Sequence, residues 1–335
     1  MGAVGTTVPI SLITTVLNEA GSIGWFLDSL HAQDTTAAEF VIVDGGSTDG
    51  TVDLLRAWSA PTGMTVRVIE LRGANISEGR NAAIAAASHD LIAVSDAGTE
   101  LHPAWLSALV AGFAPGVDVV SGFFECRGRT FKQQLIGSVI TPLIGEISPE
   151  QFLPSSRSVA FRKSAWAAVN GYPEWLDYCE DLVYDLALLD RGATFAFAPA
   201  ALATWDARPS YSAFAKQYYR YARGDGKAGL WAKRHTIRYV MYGVAIVTVV
   251  LLPVSPWPAA VAAALAVAYL AKFWGRVYRS RALFGATLPG ALALVPFVVA
   301  LGDSAKMVGY PRGLSWRRTH RARLALQAPA PRAVS

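Results

Sequence analysis

The chain has 335 residues, 53% of them hydrophobic and only 16% charged, with a formal net charge of +5. A mean hydropathy of +0.31 is too apolar for an ordinary soluble enzyme of this length, and the excess lies after Arg238, where Ala, Val and Leu dominate. Two cysteines, Cys126 and Cys179, exclude a disulfide framework and lack metal-ligand spacing, and basic residues that flank apolar spans without interleaved aromatics exclude a nucleic-acid partner.

The first stretch, MGAVGTTVPISLITTVLNE, lacks a basic n-region and a cleavage site. It reads as a lead-in and a first strand, not as a signal peptide. Pro9 to Val16 is β-rich and stops at Leu17-Asn18-Glu19. Gly21 to Leu30 has helical spacing at Ile23, Phe26, Leu27 and Leu30. Phe40 to Val43 is a second buried strand, ending in DGGSTDGT from Asp44 to Thr51. A helix from Thr51 to Trp58, a strand from Thr65 to Leu71 and a helix from Asn75 to Ala87, capped by Ser77, follow. Leu91 to Val94 is a fourth strand that stops at Ser95-Asp96, and Pro103 opens another helix. This β-α-β-α order predicts an α/β domain with a mostly parallel sheet, whose carboxyl edges gather ligand groups.

The unusual polar residues fall at those edges. Asn18 and Glu19 follow the first strand, Asp44 and Asp49 the second, and Asp96 the fourth. Asp49 reads as a helix N-cap. Asp44, followed by two glycines, leaves room for a ligand's ring or ribose. Asp96 has two readings: a turn former or cap, or a carboxylate holding a divalent cation that in turn holds a diphosphate.

Further on, Val117 to Phe124 is a strand. Thr130 to Ile147 carries apolar residues at helical spacing, which fits either core packing or a helix in a membrane interface. Phe152 to Arg162 ends in another apolar strand. Trp175 to Leu189 holds Glu180-Asp181 at the start of a helix whose Leu182, Leu186 and Leu189 are expected to face the core; Asp185, one turn on, reads as structural. Ala193 to Trp205 gives two apolar stretches broken at Pro199. Tyr211 to Trp231 is a long helical run.

NEAGSI after the first strand, VDGGSTDGT after the second, SEGRNAAI opening a helix, and SDAG after the fourth strand resemble the family 2 glycosyltransferases. The resemblance covers roughly residues 9 to 235 and is specific in combination. It implies the GT-A fold, a Rossmann-like catalytic domain over 1–235, with a nucleotide-sugar half over about 1–125 and an acceptor half over about 126–235. It also implies a nucleotide-diphosphate sugar donor, UDP- first and GDP- second, and Mg²⁺ or Mn²⁺ as cofactor. By the same resemblance Asn18, Glu19 and Asp44 contact the nucleoside, Arg80 lies near the phosphates, and Asp96 is the first acid of the family's DxD metal motif. Glu180-Asp181 matches the pair that supplies the general base, with Asp181 in that role. Gln217, Arg220 and Tyr221 resemble QxxRW, with Tyr in place of Trp, bordering donor diphosphate and acceptor; Arg220 reads equally as part of a basic collar near lipid headgroups. The chain departs from the pattern at Gly98, where the second DxD acid is missing, so one carboxylate would remain on the metal, with Glu100 or His102 as candidate helpers.

Three apolar stretches close the chain: Ile237 to Val254, Trp257 to Ala271 and Ala282 to Leu301. They predict an α-helical membrane domain over 236–323 with two to three transmembrane or re-entrant helices, followed by a disordered tail over 324–335. Spanning needs about 20 apolar residues, which the first and third supply and the second reaches only by extension through Phe273 and Trp274. Basic residues before the first stretch and after the second place the catalytic domain in the cytosol, on a multi-pass protein of the cell (inner) membrane. A single third crossing would put Lys306 to Arg323 outside; Pro289-Gly290 and Pro296 would instead break it into a re-entrant hairpin.

These readings converge on an inverting glycosyltransferase that moves one sugar to a lipid-linked or membrane-proximal glycan acceptor. A processive polysaccharide synthase is an alternative that Tyr221 disfavours. A catalytically silent sugar-nucleotide-binding membrane protein is a second alternative, suggested by Gly98.

Overall fold

The computed structural model describes residues 6–320. The described residues divide into two compact units: 6–125 together with Ile144–Asp206, and Cys126–Leu143 together with 207–320. The division therefore does not fall at residue 235. Two helices of the expected acceptor half sort with the helical unit: the one over 131–140 packs there through Leu135, Ile136 and Val139, and the one over 211–228 through glycines.

The first unit is built on strands β1 (Thr6–Val16), β2 (Thr35–Asp44), β3 (Thr65–Glu70) and β4 (Leu91–Val94), joined by helices α1 (Ile23–His31), α2 (Thr51–Ala57) and α3 (Ile76–Ala86). β2 pairs with β1 and β3, and β4 with β1, all in parallel. Phe40, Val41, Ile42 and Val43 are buried in succession, as expected for a strand covered on both faces. α1 presents Ile23, Phe26, Leu27 and Leu30 to that core, the face read from the sequence. The eight-stranded order is β3-β2-β1-β4-β7-β6-β8-β5. The chain thus leaves β1 toward β3, then returns through α3 to β1's other side. That reversal opens a crevice outside the carboxyl ends of β1 and β4, where open α/β sheets place ligands.

Past β4 the sheet is not parallel. β5 (Thr99–Leu101), β6 (Val119–Arg127), β7 (Val159–Arg162) and β8 (Phe195–Asp206) form antiparallel pairs β4–β7, β6–β7 and β5–β8. The sheet is mixed because the right-handed helical crossover that enforces parallel pairing is used only up to β4. Helices α4 (Trp105–Ala111), α6 (Lys163–Ala168) and α7 (Glu180–Asp190) complete this unit. β8 runs straight through Pro199, which is exposed and so needs no ladder donor. The cap of α3 is Asn75, not Ser77: its side chain accepts from the Ser77 and Glu78 amides while Glu78 reaches back to the Asn75 amide, a full capping box.

The second unit contains α5 (Phe131–Ile140), α8 (Tyr211–Ala228), α9 (Ala232–Leu251), α10 (Trp257–Arg279) and α11 (Leu288–Thr319). α5 is shorter than the 130–147 stretch and ends before Pro142. Its Leu135, Ile136 and Val139 are buried with Phe214, Val277, Val295 and Val298, so core packing wins over an interfacial position. α8 and α11 meet backbone to backbone. A Cβ at Gly309 would stand 2.2 Å from the Tyr219 carbonyl oxygen, one at Gly313 2.2 Å from that of Arg223, and one at Gly226 2.3 Å from that of Tyr310. Only glycine permits that approach.

Among the described residues, two helical stretches are long and apolar enough to cross a membrane, Trp257–Arg279 and Gly285–Thr319. The first apolar stretch, expected to qualify, does not. α9 begins at Ala232 and carries Lys233, Arg234 and Arg238, which leaves its uncharged run short of a span. The second qualifies by extending to Arg279. The re-entrant break also fails. α11 is continuous, because Pro289 sits in the first turn, where a missing N–H costs nothing, and the packing of Ala291, Val295, Val298 and Val299 carries the helix through Pro296. The proposed tail over 324–335 lies outside the described residues.

Candidate functional site at the carboxyl rim of the sheet

The loops after β1 and β2 are locked together. Asn18 adopts a left-handed conformation (φ 57°). Its amide donates to Ser47 Oγ at 2.8 Å and its Oδ1 accepts from the Thr48 amide at 2.9 Å. The Glu19 amide donates to Thr51 Oγ1 at 2.9 Å, and the Ala20 amide to Asp49 Oδ2 at 3.0 Å. Asp49 is therefore a strut between loops; the N-cap position of α2 belongs to Gly50. The Thr51 hydroxyl and the two amides it accepts from hold its carboxyl below the usual range. Asp44 is buried and accepts from the Gly46 and Ser47 amides at 2.8 and 2.9 Å. Its carboxylate builds the loop, and Gly46, at φ 106°, supplies the turn. Sequence reasoning singled out the acids here but missed Ser47, Thr48 and Thr51, whose short hydroxyl side chains make the clasp.

The GRN sequence opens α3 onto the same rim, and each residue has a distinct job. Gly79 lets α3 lie against β1: a Cβ there would meet Thr15 Cγ2 at 2.8 Å. Asn81 pins the 171–174 turn, accepting from the Tyr172 amide at 2.8 Å and donating to the Tyr172 carbonyl at 2.9 Å. Arg80, 2% exposed, reaches inward. Its Nη1 donates to Glu180 Oε1 at 2.6 Å and its Nη2 to Asp96 Oδ1 at 2.8 Å. The guanidinium also lies 5.3 Å from the centre of the Tyr172 ring. Burial alone would favour the neutral form, but Asp96 and Glu180 hold Arg80 firmly charged. Three sequence-predicted residues from three separate elements therefore meet at one guanidinium.

Asp96 has a second cationic neighbour. Arg157 Nε stands 3.8 Å from its Oδ2, and the Arg157 guanidinium lies 4.9 Å from the Trp205 ring centre. Arg157, in FLPSSRSVAFR, reads from the sequence only as a flank of the acceptor side; the sheet brings it to Asp96.

α7 supplies the other half of the site, rotated from its expected phase. Its buried face is Glu180, Tyr184, Asp185 and Leu188, and Leu189 is exposed. The cause is aromatic: Tyr184 stacks on Tyr172 with ring centres 4.2 Å apart, and this outweighs the leucines. The rotation sends Glu180 in toward Arg80 and leaves Asp181 half-buried, its Oδ1 accepting from the Leu182 amide at 2.8 Å. Burial, and then the neighbouring Asp181 charge, push the Glu180 carboxyl up to about 7 against the pull of Arg80. Burial and then the Asp181 charge push the Asp185 carboxyl well above the usual range. Glu180 and Asp181 sit in the first turn of α7, where the helix dipole favours negative charge.

Gln217, Arg220 and Tyr221 lie on α8 in the helical unit. Gln217 is buried and donates from Nε2 to the Tyr221 hydroxyl at 2.7 Å, while its Oε1 finds no partner.

The residues present do not form a resident metal site. Among the described residues no three His, Cys, Asp or Glu side chains come together to hold a cation. Asp96 is the only carboxylate of its loop, and it already faces Arg80 and Arg157. At Gly98, where a second acid would stand, a Cβ would meet nothing within 4 Å.

Comparison with known proteins follows this geometry. Residues 11–154 match the model of Glycosyl transferase family 2. The glycosyltransferase AglE of Haloferax volcanii is 26% identical over 233 residues, 68% of this chain and 75% of that protein. An uncharacterized glycosyltransferase of Escherichia coli, YibD, is 30% identical over 105 residues, 31% of this chain and 30% of that protein. A solved mannosyltransferase of Pyrobaculum calidifontis, PcManGT, in complex with GDP-Man and Mn²⁺, superposes with a TM-score of 0.51 at 18% identity, covering 90% of this chain and 87% of that one. That likeness speaks to the fold. The mixed α/β sheet is that of a GT-A-type domain followed by a helical region, and the chain is a glycosyltransferase.

Proposed function

We propose that this glycosyltransferase moves a single sugar, with inversion, from a nucleotide-diphosphate sugar to a lipid-linked or membrane-proximal glycan acceptor. The observation that carries the reading is the Arg80 bridge, which draws Asp96 of the β4 rim and Glu180 of α7 to one point. A donor diphosphate brings two negative charges to a rim that already holds Arg80 and Arg157. Arg157, over the Trp205 ring and 3.8 Å from Asp96, borders the diphosphate in this reading. Asn18, Glu19 and Asp44, through the interlocked loops they build, shape the nucleoside end. UDP- is the first donor choice and GDP- the second; PcManGT holds GDP-Man. Any Mg²⁺ or Mn²⁺ would be carried by the donor's diphosphate, with Asp96 as the side chain that would meet it.

Asp181 is the general base. Direct displacement at the anomeric carbon needs a group to take the acceptor hydroxyl's proton. Glu180, held by Arg80, positions the turn; Asp181, half-buried and next in the chain, is the accessible carboxylate. Gln217, Arg220 and Tyr221 belong to the acceptor and diphosphate side in this proposal. Membrane association rests on Trp257–Arg279 and Gly285–Thr319 and on exposed valines of α9 such as Val249 and Val250, and the basic residues around them favour a cytosolic head in the cell membrane. Asp181→Asn should lower transfer of radiolabelled sugar by about 10²–10⁴-fold while donor affinity stays near wild type. Full transfer in that variant would refute the assignment.

A further inference from the structure

The helical unit contains a cavity that the transfer reaction does not use. It has a volume of about 610 Å³ and is walled by α5, α8, α9, α10 and α11. Five cations line it: Arg234, Arg238, Lys272, Arg276 and Lys306. One carboxylate, Asp303, faces them. Asp303 is 2% exposed and already saturated. It accepts from Arg238 Nε at 2.8 Å and from the hydroxyls of Tyr269 and Tyr242 at 2.8 and 3.3 Å, and Lys306 Nζ stands 3.6 Å away. Arg234 and Lys272 rest on aromatic rings instead, 4.0 Å from the centre of Trp231 and 4.8 Å from that of Phe273. Arg276 is engaged, donating to the Val139 carbonyl at 3.1 Å; the other four cations still outnumber the one carboxylate, which favours an anion with several oxygens.

A second cavity, of about 360 Å³, adjoins it. The two share Met241, Tyr242, Tyr269 and Val299 as a common wall. Its other walls are apolar, among them Val240, Val244, Leu265, Leu270 and Pro296, and it carries no charged side chain. Val240, Val244 and Leu265 are open to the surroundings along helices whose apolar faces have no protein cover. A soluble phosphate compound would explain the cations and leave the groove idle. A neutral lipid would fill the groove and leave the cations unmatched.

We infer that the helical unit holds a lipid with a phosphate headgroup, the phosphate among Arg234, Arg238, Lys272, Arg276 and Lys306 and the hydrocarbon chain in the groove between α9, α10 and α11. The inference rests on the membrane-associated reading above. Lys306 and Arg238 are shared with Asp303 and set the floor of the site. Arg234 and Lys272, held only by ring faces, turn to the phosphate.

The test uses the full chain in uncharged maltoside micelles, with the thermal unfolding midpoint as readout. Dioleoylphosphatidic acid should raise the midpoint, dioleoylphosphatidylcholine at the same concentration should not, and inorganic phosphate should act only at far higher concentration. Arg234→Gln with Lys272→Gln should raise the half-saturating concentration of phosphatidic acid about tenfold per cation removed. Ala266→Trp, which fills the groove from an exposed position, should weaken phosphatidic acid and leave the response to inorganic phosphate unchanged. Equal responses to the two lipids, equal potency of inorganic phosphate and phosphatidic acid, or variants that respond as wild type would each overturn the inference. Should the double variant fail to fold, Lys272→Gln alone carries the same expectation. Stabilisation by UDP- and GDP-sugars is measured in parallel: its retention without a lipid effect sinks this inference alone, and its loss with a lipid effect intact sinks the transferase reading alone.

Discussion

The two units handle buried charge in opposite ways. In the sheet unit Arg80 is enclosed by Asp96 and Glu180, so the site is balanced before any ligand arrives. In the helical unit Asp303 is shared by Arg238 and Lys306, and Arg234 and Lys272 line the same cavity. A balanced cluster fixes geometry, since each partner's position is set by the others. An unbalanced one is built for a missing anion. The same residue types therefore serve as scaffold in one unit and as receptor in the other.

The sharpest way to break this comparison is to unbalance the first site. Arg80→Met keeps the side chain's length and removes its charge, leaving Glu180 buried without a cation. It should lower stability by about 3–5 kcal/mol and abolish transfer, read from urea unfolding and product formation. A variant as stable as wild type would show that the bridge carries no structural weight. The corresponding test of the helical unit is steric. Gly313→Val places a side chain where a Cβ already stands 2.2 Å from the Arg223 carbonyl oxygen. Overpacking should cost about 1–3 kcal/mol or more, visible as faster amide exchange in α8 and α11 and not in β1 to β4.

The pH response sharpens the comparison further. Glu180 holds its proton in the folded protein up to about 7, because burial and then Asp181 disfavour its charge, against an unfolded value of 4.5. Between those limits the folded state binds the extra proton, so stability from this group is full below about 4.5 and falls as pH rises to about 7. Wild type should lose on the order of 2 kcal/mol against Glu180→Gln across that window, measured by urea unfolding at several pH values. A pH-independent gap would place the raised proton affinity elsewhere. The smallest expected effect is at Gly98. Open space around its Cβ accepts Gly98→Asp, which restores a second acid beside Asp96. Donor binding should then tighten about tenfold with Mn²⁺ relative to EDTA, read by calorimetry. No change would mean that the Asp96 loop does not face the cation.

Much of the first unit was legible because strand burial and turn chemistry are local. The run from Leu91 to Val94 is β4 to the residue, and α1 buries the face its spacing predicts. The α7 face was misread because leucine spacing says nothing of the Tyr172–Tyr184 stack, whose partners lie on separate segments. The place of Arg157 beside Asp96 carried no local signal, since Asp96 and Trp205 come from distant segments. The first membrane stretch was misjudged by composition alone: its helix starts at Ala232, five residues before Ile237, and takes in Lys233 and Arg234, which a hydropathy reading leaves outside.

By itself the sequence determined the α/β order up to β4, the acids and glycines at the strand ends, the GRN and Glu-Asp motifs, and the apolar close of the chain. These follow from periodicity and side-chain chemistry that each segment carries alone. Only the tertiary structure decided that the sheet turns antiparallel past β4, that Arg80 joins Asp96 to Glu180, that Asp49 braces two loops, and that α11 runs unbroken through Pro296. Each of those depends on groups far apart in the chain, where the energy of burying a charge or stacking a ring outweighs any local preference.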